Sequence, residues 1–339
     1  MQPIEGCLVE SVENIIFDVK GLVHPPNKVV AFPRFIPDFK GLRQRGKDKY
    51  RKVYSISERF KFLEKNLPDY VVYDTVFDEK LCELPLEKVK KVYNPVNRLE
   101  RLRKSRNLKG LEALALQCLK ILKEEANVPW SKLGVSGSLL VGLHTEMSDI
   151  DLVVYGEKNC WKIHSALRKL LEEGNKPFKS YNLEDLKRLF NFRSKDTIMS
   201  LKDFVKVESR KIFQGKFMGR DFFVRFVKDL DEVDEDYGEV RYKNCGYAKI
   251  EATVVDDAES IFTPCIYKID DVKVVDGPKL HPLKEIASFR GRFCEQARKG
   301  ERVVAQGKIE HITDYRRKSE HFRLLIGNKP SDYMILKTR

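Results

Sequence analysis

The sequence predicts an α/β (α+β) core on a mixed sheet, with an N-terminal α+β extension and a C-terminal β-rich, barrel-like domain. Three observations lead there. Apolar residues at helical spacing fill 96–128, immediately before two strand-like runs at 133–142 and 149–156. Helical and strand-like stretches then follow one another to about residue 257. Beyond 258 the texture changes to short β runs broken by Gly, Pro and Asp. The division expected is 1–105, 106–257 and 258–339, with an OB-like barrel as a candidate for the last segment.

Each element has its own signal. IIFDVKGLV and VVAF flank His24-Pro25-Pro26-Asn27-Lys28, which reads as the turn of a hairpin. Residues 34–52 hold eight basic residues against two acidic ones, with Phe35, Phe39 and Tyr50 interleaved. That mixture is either a solvated loop or a grip for phosphates and bases. SISERFKFLEKN (55–66) is a helix with Ser55 and Glu58 at capping-box spacing. VNRLERLRKSR (96–106) and LKGLEALALQCLKILKEEANV (108–128) are helical, the second with a wide apolar face from Leu111 to Leu122. LGVSGSLLVG and DIDLVVYG read as strands, and WKIHSALRKLLEEGN (161–175) as a helix ending at Gly174. NLEDLKRLFNF and SLKDFVKVESRKIFQG are helical, DFFVRFV (221–227) and GYAKIEATVVDD (246–257) strand-like. Between those two strands, seven carboxylates in 229–239 suggest an exposed loop. In 288–302, Phe289, Arg290, Arg292 and Phe293 form either a single-strand binding face or an ordinary core-and-surface alternation.

The totals narrow the function. The chain has 339 residues, 42% hydrophobic, enough for two or three domains with real cores. Its formal net charge of +13 suits a polyanionic partner such as nucleic acid or nucleotides; a heavily charged surface, with 34% charged residues, is the alternative. Seven cysteines with no CxxC argue against a disulfide framework and a thiolate zinc site. The six histidines lack metal-ligand spacing and no P-loop motif occurs. The start lacks the order of a signal peptide, and no apolar run reaches ~18 residues, so a cytoplasmic protein without a membrane partner is expected.

The densest chemistry lies in GVSGSLLVGLHTEMSDIDLVVYG (134–156). On a strand Asp149 and Asp151 face the same way while Ile150 and Leu152 face the core. Two neighbouring carboxylates repel and raise each other's pKa. A hard divalent cation, Mg²⁺ or Mn²⁺, offsets that repulsion, because such ions take one or two carboxylates plus substrate phosphates. Gly137 lets backbone approach a phosphate, and the Ser138 hydroxyl can donate to it. A phosphate cradle beside a metal pair is what nucleotidyl transfer requires.

This stretch resembles the signature of the DNA polymerase β-like nucleotidyltransferase superfamily: Gly-Ser, about a dozen residues, then Asp-apolar-Asp-apolar. SDIDLVV looks like its CCA-adding, poly(A) polymerase and small bacterial and archaeal members, and the whole looks most like an archaeal group of predicted nucleotidyltransferases. The resemblance covers roughly residues 108–257. It implies a nucleotidyltransferase core and a third metal-binding carboxylate on a later strand, for which Glu251 in KIEATVV is the first choice, Asp221 the alternative, and Asp256 or Asp257 less suited. The implied reaction moves a nucleoside monophosphate from an NTP, such as ATP, to a hydroxyl, with RNA a candidate acceptor, and releases pyrophosphate. A nucleic-acid-binding protein that keeps the fold without catalysis is the competing class. One departure stands out: Leu139, Leu140 and Val141 occupy the place where many members carry a phosphate-binding Arg or Lys. His144 is a candidate substitute, or a surface histidine.

Overall fold

The computed structural model describes residues 2–173, 177–195 and 197–337. The chain divides into two units, each assembled from separate stretches. The first unit holds Met1–Val71, Cys82–Ser180 and Ile212–Asp234; the second holds Val72–Leu81, Tyr181–Lys211 and Glu235–Arg339. This grouping departs from the linear division at 105/106 and 257/258, and the packing of the first unit shows why.

Its N-terminal sheet contains β1 (Leu8–Ser11), β2 (Ile16–Val19), β3 (Lys28–Pro37), β4 (Arg43–Arg45), β5 (Asp48–Lys52), the later part of β7 (Glu79–Pro85) and β8 (Val89–Tyr93); β6 (Val71–Asp74), beyond its first residue, and the first residues of β7 are grouped with the second unit. The main path is β4-β5-β3-β2-β1-β8, with β7 pairing β3 and β6. The turn expected around Pro25 and Pro26 joins β2 to β3. Helix α1 (Ile56–Asn66) starts where its cap predicts: Ser55 Oγ accepts from the Glu58 N–H at 3.1 Å. Strands β1 and β2 are buried throughout because both faces of the sheet are covered. Val9 and Phe17 pack into one cluster with Val29, Leu63 and Leu84. The alternate residues Leu8 and Ile16, with Phe35 and Tyr50, pack on Leu140, Val141 and Leu143. The N-terminal segment is therefore a wall of the core around the Gly-Ser stretch, not an appendage.

Helices α2 (Pro95–Lys104) and α3 (Gly110–Ala126) lead into a five-stranded mixed sheet. This sheet contains β9 (Leu133–Val135), β10 (Ile150–Tyr155), β11 (Phe178–Lys179), β12 (Gln214–Phe217) and β13 (Arg220–Val227), in the order β11-β12-β13-β10-β9. Strands β10 and β13 are parallel; the other pairings are antiparallel. Helix α3 and helix α5 (Glu157–Glu172) pack on each other and on β10, and bury Cys118, Leu119, Ile163 and Leu167 among other apolar residues. The helix end expected at Gly174 lies outside the described residues.

Two expectations change here. LGVSGSLLVG is not one strand: after β9 the chain turns into a short helix, α4 (Gly137–Val141), because Gly137 and Gly142 both take positive φ, +57° and +69°. The acidic stretch after β13 is not a plain exposed loop. Glu232 accepts from the Glu157 N–H that opens α5 (2.8 Å), and Asp229 pairs with Lys132 (2.6 Å).

The second unit contains α6 (Leu183–Arg193), capped by Asn182 and Asp185, and α7 (Leu201–Glu208). Its sheet holds β14 (Val240–Asp256), β15 (Cys265–Asp276), β16 (Leu283–Ser288), β17 (Arg302–Asp314), β18 (Ser319–Leu325) and β19 (Tyr333–Leu336). The order β14-β15-β16-β18-β17, closed by a β14–β17 pairing, makes a five-stranded ring with β16 and β18 parallel and β19 added to β17. Long β14 starts well before 258, so the β-rich unit does too. The 288–302 stretch is no open binding face. Phe293 is core, Arg292 donates to Thr197 Oγ1 at 3.0 Å, and Arg290 to the Gly327 carbonyl at 3.4 Å. Among the described residues no helix is long and apolar enough to cross a membrane.

Candidate active site

The carboxylates stand at the start of β10, Asp149 just before it and Asp151 as its second residue. Ile150 pairs with Phe222 of β13, and Asp151 with Phe223. Continued back by one residue, this parallel register sets Asp149 beside Asp221. Alternation puts Asp149, Asp151 and Asp221 on one face, while Ile150, Leu152 and Phe222 go to the core. The Gly-Ser pair meets them directly. A Cβ built on Gly137 would lie 1.9 Å from Asp151 Oδ2 and 2.7 Å from its Cγ. The carboxylate thus rests on the bare Cα of Gly137, and a side chain there would be strained and would push the Asp151 carboxylate aside. The Ser136 N–H donates to the Asp151 carbonyl (2.8 Å) and its hydroxyl to the Gly6 carbonyl (2.8 Å), which holds the turn in place. Ser138 is buried.

The electrostatics are unbalanced. Burial of its carboxyl, followed by the charge of Asp151, pushes Asp149 up to about 6, with Asp221 adding to the effect and Lys52 and Arg34 opposing it. Arg225, on β13, feels the charge of Asp151, but the charges of Glu5 and Asp18 act on it more strongly. It pairs with buried Glu5 and lies 3.9 Å from Asp18, which Lys20 also meets at 2.9 Å.

Three further cations surround the pair, all from the N-terminal sheet. Lys52 ends β5 opposite Phe35, and the next N–H, of Val53, donates to the Arg34 carbonyl at 2.9 Å. The Tyr54 ring lies under both side chains, 5.0 Å from Lys52 Nζ and 5.8 Å from Arg34 Cζ. Arg43 donates to the Leu143 carbonyl at 2.7 Å and to Ser148 Oγ at 3.2 Å, one residue before Asp149. Burial, then the charges of Arg34 and Arg43, push Lys52 down to about 8 against the pull of Asp151 and Asp149. The basic content of 34–52 signalled these residues, though nothing local showed which of the eight face the carboxylates. Phe35 and Tyr50, by contrast, are core; Phe39 is 81% exposed.

The other sequence-selected residues fall elsewhere. Glu251 stands in β14 of the second unit, paired with Lys337 at 2.5 Å and 3.9 Å from Arg302. The Lys337 ammonium holds its carboxyl below the usual range. It does not share a sheet with Asp149 and Asp151; Asp221 does. Burial holds half-buried His144 below the usual imidazole value, with Arg98 and Arg43 nearby. Among the described residues no three His, Cys, Asp or Glu side chains form a ready-made metal cage. A hard cation that keeps its phosphate ligands needs only one or two carboxylates, and two like-charged carboxylates with one raised pKa fit that demand.

The carboxylate pair, set on a Gly-Ser turn at the start of a mixed-sheet strand, lies within a nucleotidyltransferase domain. The chain matches the nucleotidyltransferase domain family, of the DNA polymerase β-like superfamily, over residues 116–212. Over 328 residues it is 36% identical to an uncharacterised protein of the archaeon Methanocaldococcus jannaschii, covering 94% of each chain. No solved structure matches the chain.

Proposed function

We propose that the protein is a Mg²⁺-dependent (or Mn²⁺-dependent) nucleotidyltransferase that moves a nucleoside monophosphate from an NTP to a hydroxyl acceptor. The observation that carries this reading is the seat of Asp151 on Gly137, with Asp149 raised beside it. Asp149 and Asp151 hold the metal, which when bound screens phosphate charge and lowers the pKa of the acceptor hydroxyl. Gly137 and Ser138 form the floor on which the triphosphate lies. Asp221 serves as the third carboxylate in preference to Glu251, because the β10–β13 pairing brings it to Asp149 while Lys337 occupies Glu251. The acceptor oxygen bonds to the α-phosphorus, the bond to the bridging oxygen breaks, and pyrophosphate leaves. The hydroxyl proton passes to Asp221 or to water.

RNA is the acceptor class we favour. The net charge is +13, and exposed Phe39, Leu42 and Met147 flank the Arg43–Ser148 contact beside the site. The second unit's closed ring of five strands is the architecture of OB-like barrels, with exposed Tyr315 and Arg317 in its β17–β18 turn.

The test is incubation with Mg²⁺, each labelled NTP and total RNA, beside an Asp149→Ala, Asp151→Ala double variant. Label transfer that vanishes in the variant supports the reading and names the nucleotide. RNA binding that is equal in both proteins, with no transfer, would establish a binding protein that keeps the fold without catalysis.

A further inference from the structure

The Gly-Ser helix carries no cation of its own. Leu140 and Val141 pack with Leu8, Ile16, Phe35 and Tyr50 of the N-terminal sheet, so a charged side chain there would enter an apolar core. The same sheet presents three cations to the carboxylates instead. We propose that Arg34, Arg43 and Lys52 form a binding site for the triphosphate tail of the nucleotide and for the pyrophosphate product. All three precede the matched domain at 116–212.

The argument rests on placement. Arg43 is tied to the backbone of Leu143 and to Ser148, next to Asp149. Lys52 pairs across β5 and β3 with Phe35, the neighbour of Arg34, and both cations reach the Tyr54 ring. Like charges are thus gathered in two adjoining sets, three cations and a group of carboxylates. Each set is unfavourable in itself, and side-by-side placement relieves only part of this. A triphosphate supplies the anion that the cations lack, and its metal supplies the cation that the carboxylates lack. Two arginines and a lysine set close together suit a chain of phosphates better than a single carboxylate.

The proposal rests on the nucleotidyl-transfer reading for the identity of the nucleotide, but not for the anion site. The probe is therefore inorganic tripolyphosphate, titrated calorimetrically with EDTA present, and ATP with Mg²⁺ in parallel. Wild type should bind tripolyphosphate with a strong salt dependence. Lys52→Met and Arg34→Met should each weaken it roughly tenfold or more, while Lys52→Arg stays within about threefold of wild type. The Asp149→Asn, Asp151→Asn double variant should bind metal-free tripolyphosphate at least as well as wild type, since it removes charges that repel the tail. A merely structural role for the cations, as counterions of the aspartates, would leave tripolyphosphate binding unchanged. Unchanged binding in Lys52→Met and Arg34→Met, or no binding by wild type, overturns the proposal. Melting curves accompany each variant, and Arg34→Met carries the test if Lys52→Met unfolds. The expected binding pattern without label transfer from any NTP would sink the transferase reading and leave the anion site standing.

Discussion

In the barrel of the second unit, Glu310 accepts from Arg323 Nε at 2.7 Å and lies 2.7 Å from Lys308 Nζ. Beside it Glu285 has Lys268, His321 and Arg323 around it. In the first unit Asp149 has Asp151 and Asp221 as neighbours, with Lys52 and Arg34 only partly compensating. Burial pushes both kinds of carboxyl upward. In the barrel, His321, Lys268 and Arg323 outweigh it and bring Glu285 down to about 2. At the aspartates, like charge adds to it. A buried acid that brings its own counterions is finished structure, whereas an exposed one left raised among like charges, as Asp149 is, is arranged for a ligand.

The comparison breaks most visibly through loss of function. Asp149→Asn with Asp151→Asn should lower label transfer roughly a thousandfold or more without lowering the melting temperature; parallel loss of both would mean that the pair is structural. The mirror experiment is Arg323→Met, which strips Glu310 and Glu285 of a shared cation. Urea unfolding followed by circular dichroism should show a loss of about 3–5 kcal/mol, as expected when a buried charge loses its partner. Next comes the third carboxylate. Asp221→Asn should reduce transfer roughly a hundredfold and Glu251→Gln less than about threefold; the reverse ranking would return the role to Glu251.

The pH profile sharpens the contrast. Glu285 has a folded pKa below its ordinary value of 4.5, so its contribution to stability is present above pH 4.5 and lost as pH falls towards 2, about 2–3 kcal/mol in all. Asp149 has the opposite sign. Its pKa is raised from 3.8 to about 6, so any benefit exists below pH 3.8 and is gone once pH has risen through 6. Asp149→Asn should therefore stabilise the fold at pH 7 and lose that advantage near pH 4. The shift corresponds to about 3 kcal/mol, but Asp149 retains solvent access, which reduces the expected gain to about 1 kcal/mol. Denaturation midpoints at the two pH values measure it.

Local signals in the sequence were sound where structure is local. The turn at Pro25 and Pro26, the Ser55 cap, the apolar face of α3 and the Asp149–Asp151 alternation all follow from residues a few positions apart. What depends on distant pairing was out of reach. The β10–β13 register that brings Asp221 to Asp149 joins strands separated by two helices of the other unit. The basic stretch 34–52 was conspicuous, yet Phe35 and Tyr50 pack on Leu140 while Lys52, which shares their face through its pairing with Phe35, carries its ammonium on towards the carboxylates, a split that no local pattern marks. Glu251 looked suitable because an acid amid alternating apolar residues is the same pattern on a barrel wall as on a catalytic strand.

The parallel pairing of β10 with β13 also bears on how the protein is made. A ribosome releases β10, then α5, then the whole excursion of α6 and α7, before β13 appears. Until then Asp149 and Asp151 belong to a strand that lacks one neighbour, and Asp221 has not been synthesised. The nascent chain can assemble its N-terminal sheet first, around Leu8 and Ile16, and hold that surface ready for Leu140 and Val141. The face that gathers the three aspartates is thereby postponed until translation has passed residue 227, so a truncated polypeptide that stalls earlier carries Asp149 and Asp151 without Asp221 beside them.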